Sequence, residues 1–109
     1  MAEVLKILGQ SQPVAATLTT LYTVPVATSA SGSTLVVCNQ TGGTVRIRIS
    51  AAVAGAADAL KQYLLYDTDL QKRSPLTLTL GFALGATDVV RVQTDTAGVS
   101  FTLFGVEVT

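Results

Sequence analysis

Residues Pro75–Thr109 read PLTLTLGFALGATDVVRVQTDTAGVSFTLFGVEVT, and their patterning decides the fold class. Apolar and polar side chains alternate in three runs, whose apolar members are Leu76, Leu78 and Leu80, then Val90 and Val92, then Val99, Phe101 and Leu103. Alternation with a period of two places one set of side chains on a buried sheet face and the other toward solvent. Gly81, Gly85 and residues 95–98 separate the runs where turns must fall. The stretch therefore predicts three antiparallel strands, with Phe82–Leu84 continuing or bending the first.

Short strand candidates also precede this stretch. They are Val4–Leu8, Thr17–Val24, Thr34–Cys38, Thr44–Ser50 and Gln62–Asp67. Between them, the small residues of Ala27–Ser33 predict a loop with nothing to bury, and the charged residues of Thr68–Ser74 predict another. Pro13 removes a backbone donor, so the residues around it favour an irregular arm or a sheet edge.

Residues 39–43, NQTGG, form the clearest turn signal, because Asn and Gly accept positive φ at little cost. They lie between the continuous apolar run Thr34–Cys38 and the strongly alternating run Thr44–Ser50. We therefore predict a hairpin from Thr34 to Ser50.

The segment Ala51–Tyr66 carries conflicting signals. Its Ala and Leu residues fall at helical spacing, whereas Gly55 and the strand-rich surroundings oppose a helix. We predict a loop or short helical turn through Ala59, followed by the strand Gln62–Asp67. Both faces of that strand are apolar, which suits a central or intersubunit position.

About eight short strands without helical crossovers indicate an all-β protein. We predict an antiparallel, jelly-roll-like β-sandwich that forms a single domain over residues 1–109, with residues 1–16 as its N-terminal strand and arm.

The charge content is low. Only 13% of residues are charged, against about 25% in ordinary globular domains, and seven Lys and Arg balance seven Asp and Glu. Neutral surfaces tend to associate, so the composition favours a subunit packed against neighbours. The alternative is a neutral soluble monomer that Thr and Ser keep in solution.

The sequence shows no membrane partner and no sign of secretion. The longest run of small apolar residues, Ala51–Ala57, is far below the ~18 residues of a membrane-spanning helix, and the N-terminus shows no signal peptide. Cys38 has no partner for an intramolecular disulfide and is expected to be a buried, inert thiol.

Candidate chemistry is sparse. The chain has no histidine and no cofactor-binding motif, so we expect no catalytic residues, no cofactor and no metal site. Asp67 and Asp69 lie two residues apart, but calcium needs six to eight oxygen ligands and no others cluster nearby. We interpret the pair as solvated carboxylates at a strand end, and Asp88 as a turn residue.

Arg46, Arg48 and Arg91 could form a basic stripe. Nucleic-acid binding would require a charge excess or neighbouring aromatic side chains, so we expect no nucleic-acid partner. The arginines are expected to pair across strands with groups such as Asp67 or Glu107, or to contribute to an interface, where Arg is enriched.

Several segments resemble a family of small virion structural proteins from tailed bacteriophages. The resemblance covers nearly the whole chain; its most specific segments are LTTLYTVP (18–25), VCNQTG (37–42), VAGAA (53–57), ATDVVRV (86–92) and FTLFGVEV (101–108). None is a catalytic motif, and all are typical of strands and turns.

The resemblance implies a non-enzymatic β-sandwich subunit of the virion, assembled in the cytoplasm of a bacterial host. We expect a capsid decoration, or cement, protein that forms a homo-oligomer, with a trimer favoured, and that contacts the major capsid protein. The alternative is a neck, baseplate or tail-fibre module with tail or neck partners, in which receptor or carbohydrate binding would occur.

Contacts between subunits are predicted at the N-terminal arm and at residues 51–61. The individual interface candidates are Pro13, Tyr63, Tyr66, Phe104, Arg46 and Arg48. Aromatic and Arg side chains are preferred anchors at interfaces.

Overall fold

A computed structural model describes residues 2–79 and 81–109, which form nine β-strands and two short 3-10 turns. The strands are β1 (Glu3–Ser11), β2 (Thr19–Thr23), β3 (Ser29–Asn39), β4 (Val45–Ala52), β5 (Tyr63–Leu70), β6 (Pro75–Leu78), β7 (Phe82–Leu84), β8 (Val89–Thr94) and β9 (Val99–Val108). The 3-10 turns are Val53–Gly55 and Leu60–Gln62. Leu80, which we assigned to the first strand of the C-terminal stretch, lies outside the described residues.

The strands form two antiparallel sheets. The first sheet has the order β1-β9-β3-β6, with β7 also paired to β3, and the second has the order β2-β8-β4-β5. The pairing is nested: β4 pairs with β5, β3 with β6 and β7, β2 with β8, and β1 with β9. A long hairpin rolled up in this way is a jelly roll, so the predicted all-β sandwich is confirmed.

The core lies between the two sheets and follows the predicted alternation. Its largest fully buried side chains include Phe101, Leu35, Leu103, Ile47 and Ile49, of which the first three come from the first sheet and the last two from the second. Burying a side chain of this size contributes ~1.5–3 kcal/mol, and the opposing sheet supplies the apolar surface that makes this possible.

The predicted hairpin from Thr34 to Ser50 is wrong. β3 and β4 lie in different sheets, and β4 pairs with β5 and β8 instead. The NQTGG segment connects the two sheets through the buried Asn39, whose amide nitrogen donates to the carbonyl oxygens of Gly43, Leu70 and Gln71. Residues 41–43 do bend the chain, but none of residues 39–43 has the positive φ expected of a hairpin turn, and such local signals do not specify which strands pair.

The predicted loop Ala27–Ser33 is also wrong in its second half, because residues 29–33 begin β3. Its small side chains leave room for the core. A Cβ atom added to Gly32 would lie 3.1 Å from Leu103 Cδ1 and 3.1 Å from Phe82 Cβ. The small residues at the start of β3 therefore allow large side chains of neighbouring strands to pack tightly against the β3 backbone.

Strand lengths and positions differ from expectation in three places. β1 continues past Gly9 through an irregularity in its pairing with β9, and β5 extends to Leu70. β5 is an edge strand, not a central one. Cys38 is a free thiol that is only half-buried, because Leu35 and Val37 occupy the inward positions of β3.

The predicted helical turn between β4 and β5 is confirmed as the two 3-10 turns, and it lies over one end of the second sheet. The Arg91 guanidinium donates to the carbonyl oxygens of Ala56 and Gly55. Asp88 accepts hydrogen bonds from the backbone N–H groups of Ala54 and Gly85, which fits the turn role predicted for it. The rest of the second sheet's outer face stays open.

None of the helical segments in residues 2–79 and 81–109 has the length and apolar character needed to cross a bilayer.

Candidate functional site: the outer faces of the two sheets

A cluster of charged and aromatic side chains occupies the outer face of the second sheet. Arg48 points outward because its neighbours Ile47 and Ile49 enter the core. Its Nε and Nη2 atoms donate to the Asp67 carboxylate at 2.6 and 3.1 Å, which makes a bidentate ion pair. The guanidinium also stacks over the ring of Tyr66, 4.1 Å from the centroid.

Two tyrosines complete this cluster. The rings of Tyr63 and Tyr66 meet edge to face with centroids 5.0 Å apart, and the Tyr63 hydroxyl donates to Asp58 Oδ2 at 3.0 Å. Burial and this hydrogen bond raise the pKa of Tyr63, whereas the hydrogen bond from Arg48 lowers the pKa of Asp67. Asp67 has a φ of 51°, a conformation that Asp tolerates better than most residues.

The other two arginines of the predicted basic stripe are also engaged. Arg46 lies 3.4 Å from Asp69, with both side chains largely exposed, and Arg91 holds the 3-10 turn segment through backbone carbonyls. The expected pairing of Arg48 with Asp67 is confirmed. Glu107, the other expected partner, lies on the first sheet and instead interacts with Lys6 of the same sheet and with Tyr22 of the second.

A cavity of about 210 Å³ lies beside this cluster. Its lining includes Arg46, Arg48, Asp67, Gln93, Thr94 and Asp95. Two guanidinium groups face two carboxylates there, so the cavity carries no net formal charge. An anionic ligand such as a nucleic-acid backbone would find no charge excess.

The outer face of the first sheet is apolar where β1 pairs with β9. Leu5 lies opposite Val106 and Ile7 lies opposite Phe104, and these four residues form what we call the apolar patch. Leu5 is 81% exposed, Ile7 48% and Phe104 39%. A depression of about 500 Å³ lies within the patch. Its lining also includes Lys6, Ser33 and Gly105.

A hydrogen-bonded network lies behind this patch, on the inner side of the same two strands. The Tyr22 hydroxyl donates to Glu107 Oε2 at 2.5 Å, and Lys6 Nζ lies 2.9 Å from Glu107 Oε1. Burial, followed by the nearby Glu107 carboxylate, raises the pKa of Tyr22. The hydrogen bonds from Tyr22 and Lys6 lower the pKa of Glu107. The carboxylate is thus held ionised, while Lys6, whose side chain is 44% exposed, reaches the depression in the patch.

The structure distributes the interface candidates over three places. Arg46, Arg48, Tyr63 and Tyr66 come together on the second sheet, whereas Phe104 belongs to the apolar patch on the first. Pro13 is buried in the connection between β1 and β2.

Sequence reasoning missed Leu5 and Ile7. The signal was present, because Val4, Leu5, Ile7 and Leu8 make both faces of β1 apolar in a strand that lies at a sheet edge.

The acidic pair proposed as a solvated strand end serves the cross-strand ion pairs instead: Asp67 binds Arg48 and Asp69 faces Arg46. Within residues 2–79 and 81–109, no three His, Cys, Asp or Glu side chains group closely enough to hold a metal ion.

Comparison by sequence finds no match to a known protein family or to a curated protein. Comparison by structure finds chains from virus particles. One, from the crystal structure of the T13 particle of infectious bursal disease virus, aligns with a TM-score of 0.51 at 10% identity. Another, from the structure of the Gx strain of infectious bursal disease virus, aligns with a TM-score of 0.50 at 12% identity.

These alignments cover 97% of this chain, which spans only 29% and 30% of the length of the two viral chains. A pentameric capsid protein isolated from metagenomic phage sequences aligns over 94% of the chain at 15% identity and over 63% of its own length. Its TM-score of 0.39 is too low to establish a common fold. At such identities a likeness is one of architecture. The chain is a jelly-roll β-sandwich with the fold of one segment of these virus-particle chains.

Proposed function

We propose that this protein is a non-enzymatic structural component of a tailed bacteriophage virion, and specifically a capsid decoration protein. The observation that carries the proposal is the jelly-roll fold, which nearly the entire chain shares with segments of chains from an icosahedral virus particle. The phage-type strand and turn segments, such as ATDVVRV and FTLFGVEV, give the narrower assignment to tailed phages.

The surface supports a packing role over a catalytic one. The titratable groups that lie together, Arg48 with Asp67 and Lys6 with Glu107, are bound to each other in ion pairs. Such pairing lowers the pKa of Asp67 and of Glu107, so both carboxyls stay ionised, whereas an acid or base catalyst exchanges its proton near the working pH. Exposed apolar side chains on the first sheet provide surface that a neighbouring subunit could bury.

In the proposed mechanism, copies of the chain form a homo-oligomer, with a trimer as the expected number, on the outer surface of the capsid. The connection around Pro13 and residues 51–61 contact the major capsid protein and bridge adjacent capsomers. The rigid sandwich then resists separation of those capsomers when the shell is under internal pressure.

Purified particles of the phage that encodes this chain provide the test. Mass spectrometry should detect the protein in particles at many copies, and a cryo-electron microscopy map should place the jelly roll repeatedly on the capsid surface. Absence from particles, when the protein is abundant in the infected cell, would refute the virion assignment. A few copies at the neck or at the tail would refute decoration and support the alternative below.

The alternative is a neck, baseplate or tail-fibre module that binds a carbohydrate receptor. The neutral cavity beside Arg48 favours it, because Gln93, Asp95 and Arg46 supply both donors and acceptors for hydroxyl groups. Tyr66, 49% exposed, adds an aromatic surface nearby. Binding to a glycan array that Gln93→Ala abolishes, with Gln40→Ala as control, would support this alternative, and no binding to any glycan would exclude it.

A further inference from the structure

We propose that the apolar patch is a contact between copies of this chain, in which Leu5 of one copy enters the depression in the patch of the next. This names the surface and the partner for the oligomeric part of the proposed function, and it depends on that part alone.

The patch exposes more apolar surface than isolated surface side chains do. Leu5, Ile7, Phe104 and Val106 adjoin one another across the β1–β9 pairing. The exposed fractions of Leu5, Ile7 and Phe104 correspond to roughly 300 Å² of accessible surface, less than half of the ~800 Å² that each partner buries in an interface of standard size. The remainder can come from β1, which is a sheet edge, and from Ser31 and Ser33 on β3.

Shape argues that the occupant is a second copy. Leu5, the most exposed side chain of the patch, forms part of the wall of the depression, which Ile7 and Phe104 also line. A projection and a hollow of matching apolar character therefore occur on the same face. In a twofold dimer, Leu5 of each copy can occupy the depression of the other copy. In a closed ring of three, Leu5 of each copy can occupy the depression of the next. Every depression is filled in both arrangements.

Charge argues the same way. The strands of the first sheet contain three charged residues, Glu3, Lys6 and Glu107, and the last two bind each other. Two such faces can approach without bringing an unpaired cation against a cation. The chain as a whole carries no net charge, so long-range repulsion between copies is absent too.

The fold also supplies a matched control. Val26, in the connection between β2 and β3, is 76% exposed, close to the 81% of Leu5, but it lies outside the patch and outside the segments proposed to contact the capsid. The variants Leu5→Glu and Val26→Glu therefore replace an exposed aliphatic side chain by the same charged one at similar exposure. Neither side chain belongs to the core, so both variants should fold, which circular dichroism can verify.

Sedimentation velocity of the purified chain, over a hundredfold range of concentration, is the test. The wild-type chain and Val26→Glu should form the same assembly, a multiple of the 11.2 kDa chain mass. Leu5→Glu should weaken that assembly at least tenfold, because it places a charge in an apolar contact. A wild-type chain that stays monomeric, or an assembly equally affected or equally unaffected by both variants, would overturn the inference.

Methyl NMR of the wild-type chain gives a second reading that needs no variant. Signals of Leu5 and Ile7 should shift with concentration, while that of Val26 should stay constant; the reverse would place the contact elsewhere. These measurements use the isolated chain, so they separate the two proposals. Self-association through the patch by a protein absent from particles would refute only the virion role, and a monomer found in particles would refute only this contact.

Discussion

The two outer faces of the sandwich differ in how many charged side chains they expose. The strands of the second sheet carry five charged residues, Arg46, Arg48, Asp67, Asp69 and Arg91. These side chains bind one another or backbone carbonyls at the surface. The first sheet carries an ion pair, in which Glu107 is largely buried and Lys6 partly exposed, and its outward residues include Leu5, Ile7 and Phe104.

This contrast explains what the composition alone could not. A charge content of 13% does not mean that charged residues are equally sparse over the whole surface. The charges are concentrated on the second sheet and in loops, which leaves one large face with little cost of desolvation on contact. The outer face of the second sheet is thus suited to contact with water, and the outer face of the first sheet to burial in a contact.

The largest expected effect comes from Asn39→Ala, which removes the side-chain hydrogen bonds that connect the two sheets. The variant leaves the carbonyl oxygens of Gly43, Leu70 and Gln71 without this donor, and the one at Leu70 is buried. It also deprives Thr41 of its acceptor. We expect a loss of about 3 kcal/mol in the free energy of unfolding, measured by urea denaturation at pH 7.

Gln40→Ala is the control for this change, because Gln40 is exposed and its side chain contacts only Gln12, at 3.3 Å. Its stability should match the wild type within ~0.5 kcal/mol. If Asn39→Ala were as stable as Gln40→Ala, the connection would not hold the two sheets together.

A smaller effect should appear in the pH dependence of stability, through the network beneath the apolar patch. The pKa of Glu107 is lowered in the folded protein, so its contribution is present above the ordinary value of 4.5 and is lost as pH falls through the lower folded value. The pKa of Tyr22 is raised above 10.0, so stability should also fall as pH rises beyond 10.0, where only the unfolded chain loses that proton.

Tyr22→Phe tests both limbs of this dependence. Urea midpoints measured from pH 3 to pH 11 should show a shallower decline at each extreme in the variant than in the wild type. Parallel profiles would mean that the hydrogen bond between Tyr22 and Glu107 does not persist in solution.

The smallest effect is expected on the second sheet, from Asp67→Asn. This change removes the bidentate partner of Arg48, and because both side chains are partly exposed, solvent screens the interaction. The melting temperature should fall slightly at low salt, and the difference should shrink at high salt. Asp69→Asn, whose contact with Arg46 is longer and more exposed, should have less effect still. A larger loss from Asp69→Asn would contradict the ranking.

Local sequence patterns predicted the strands well and their partners poorly. Ile47 and Ile49 enter the core and Arg46 and Arg48 face outward, as alternation requires. The link from β3 to β4 looked like a hairpin turn because its residues favour positive φ, but strand pairing depends on surfaces far away in the chain.

The candidate site was predictable only in part. Cross-strand pairing of Arg48 with Asp67 followed from opposite charges on adjacent strands. The apolar patch was not found, since β1 is apolar on both faces and its sequence does not reveal that Leu5 and Ile7 point to the outer face of the sheet. Similarly, residues 29–33 looked like a loop, because nothing local reveals that Phe82 and Leu103 pack against Gly32.

The nested order of strand pairing has a kinetic consequence. β4 and β5 are neighbours in the chain, and closing that hairpin first brings β3 close to β6 and β7, then β2 close to β8, and finally β1 close to β9. Each step shortens the loop that the next step must close, which lowers its entropic cost. Folding should therefore begin with the strands in the middle of the chain and end with the strands nearest its two ends. β1, which carries Leu5 and Ile7, would join last, so the surface proposed to bind another copy would be completed only when the rest of the protein is already formed.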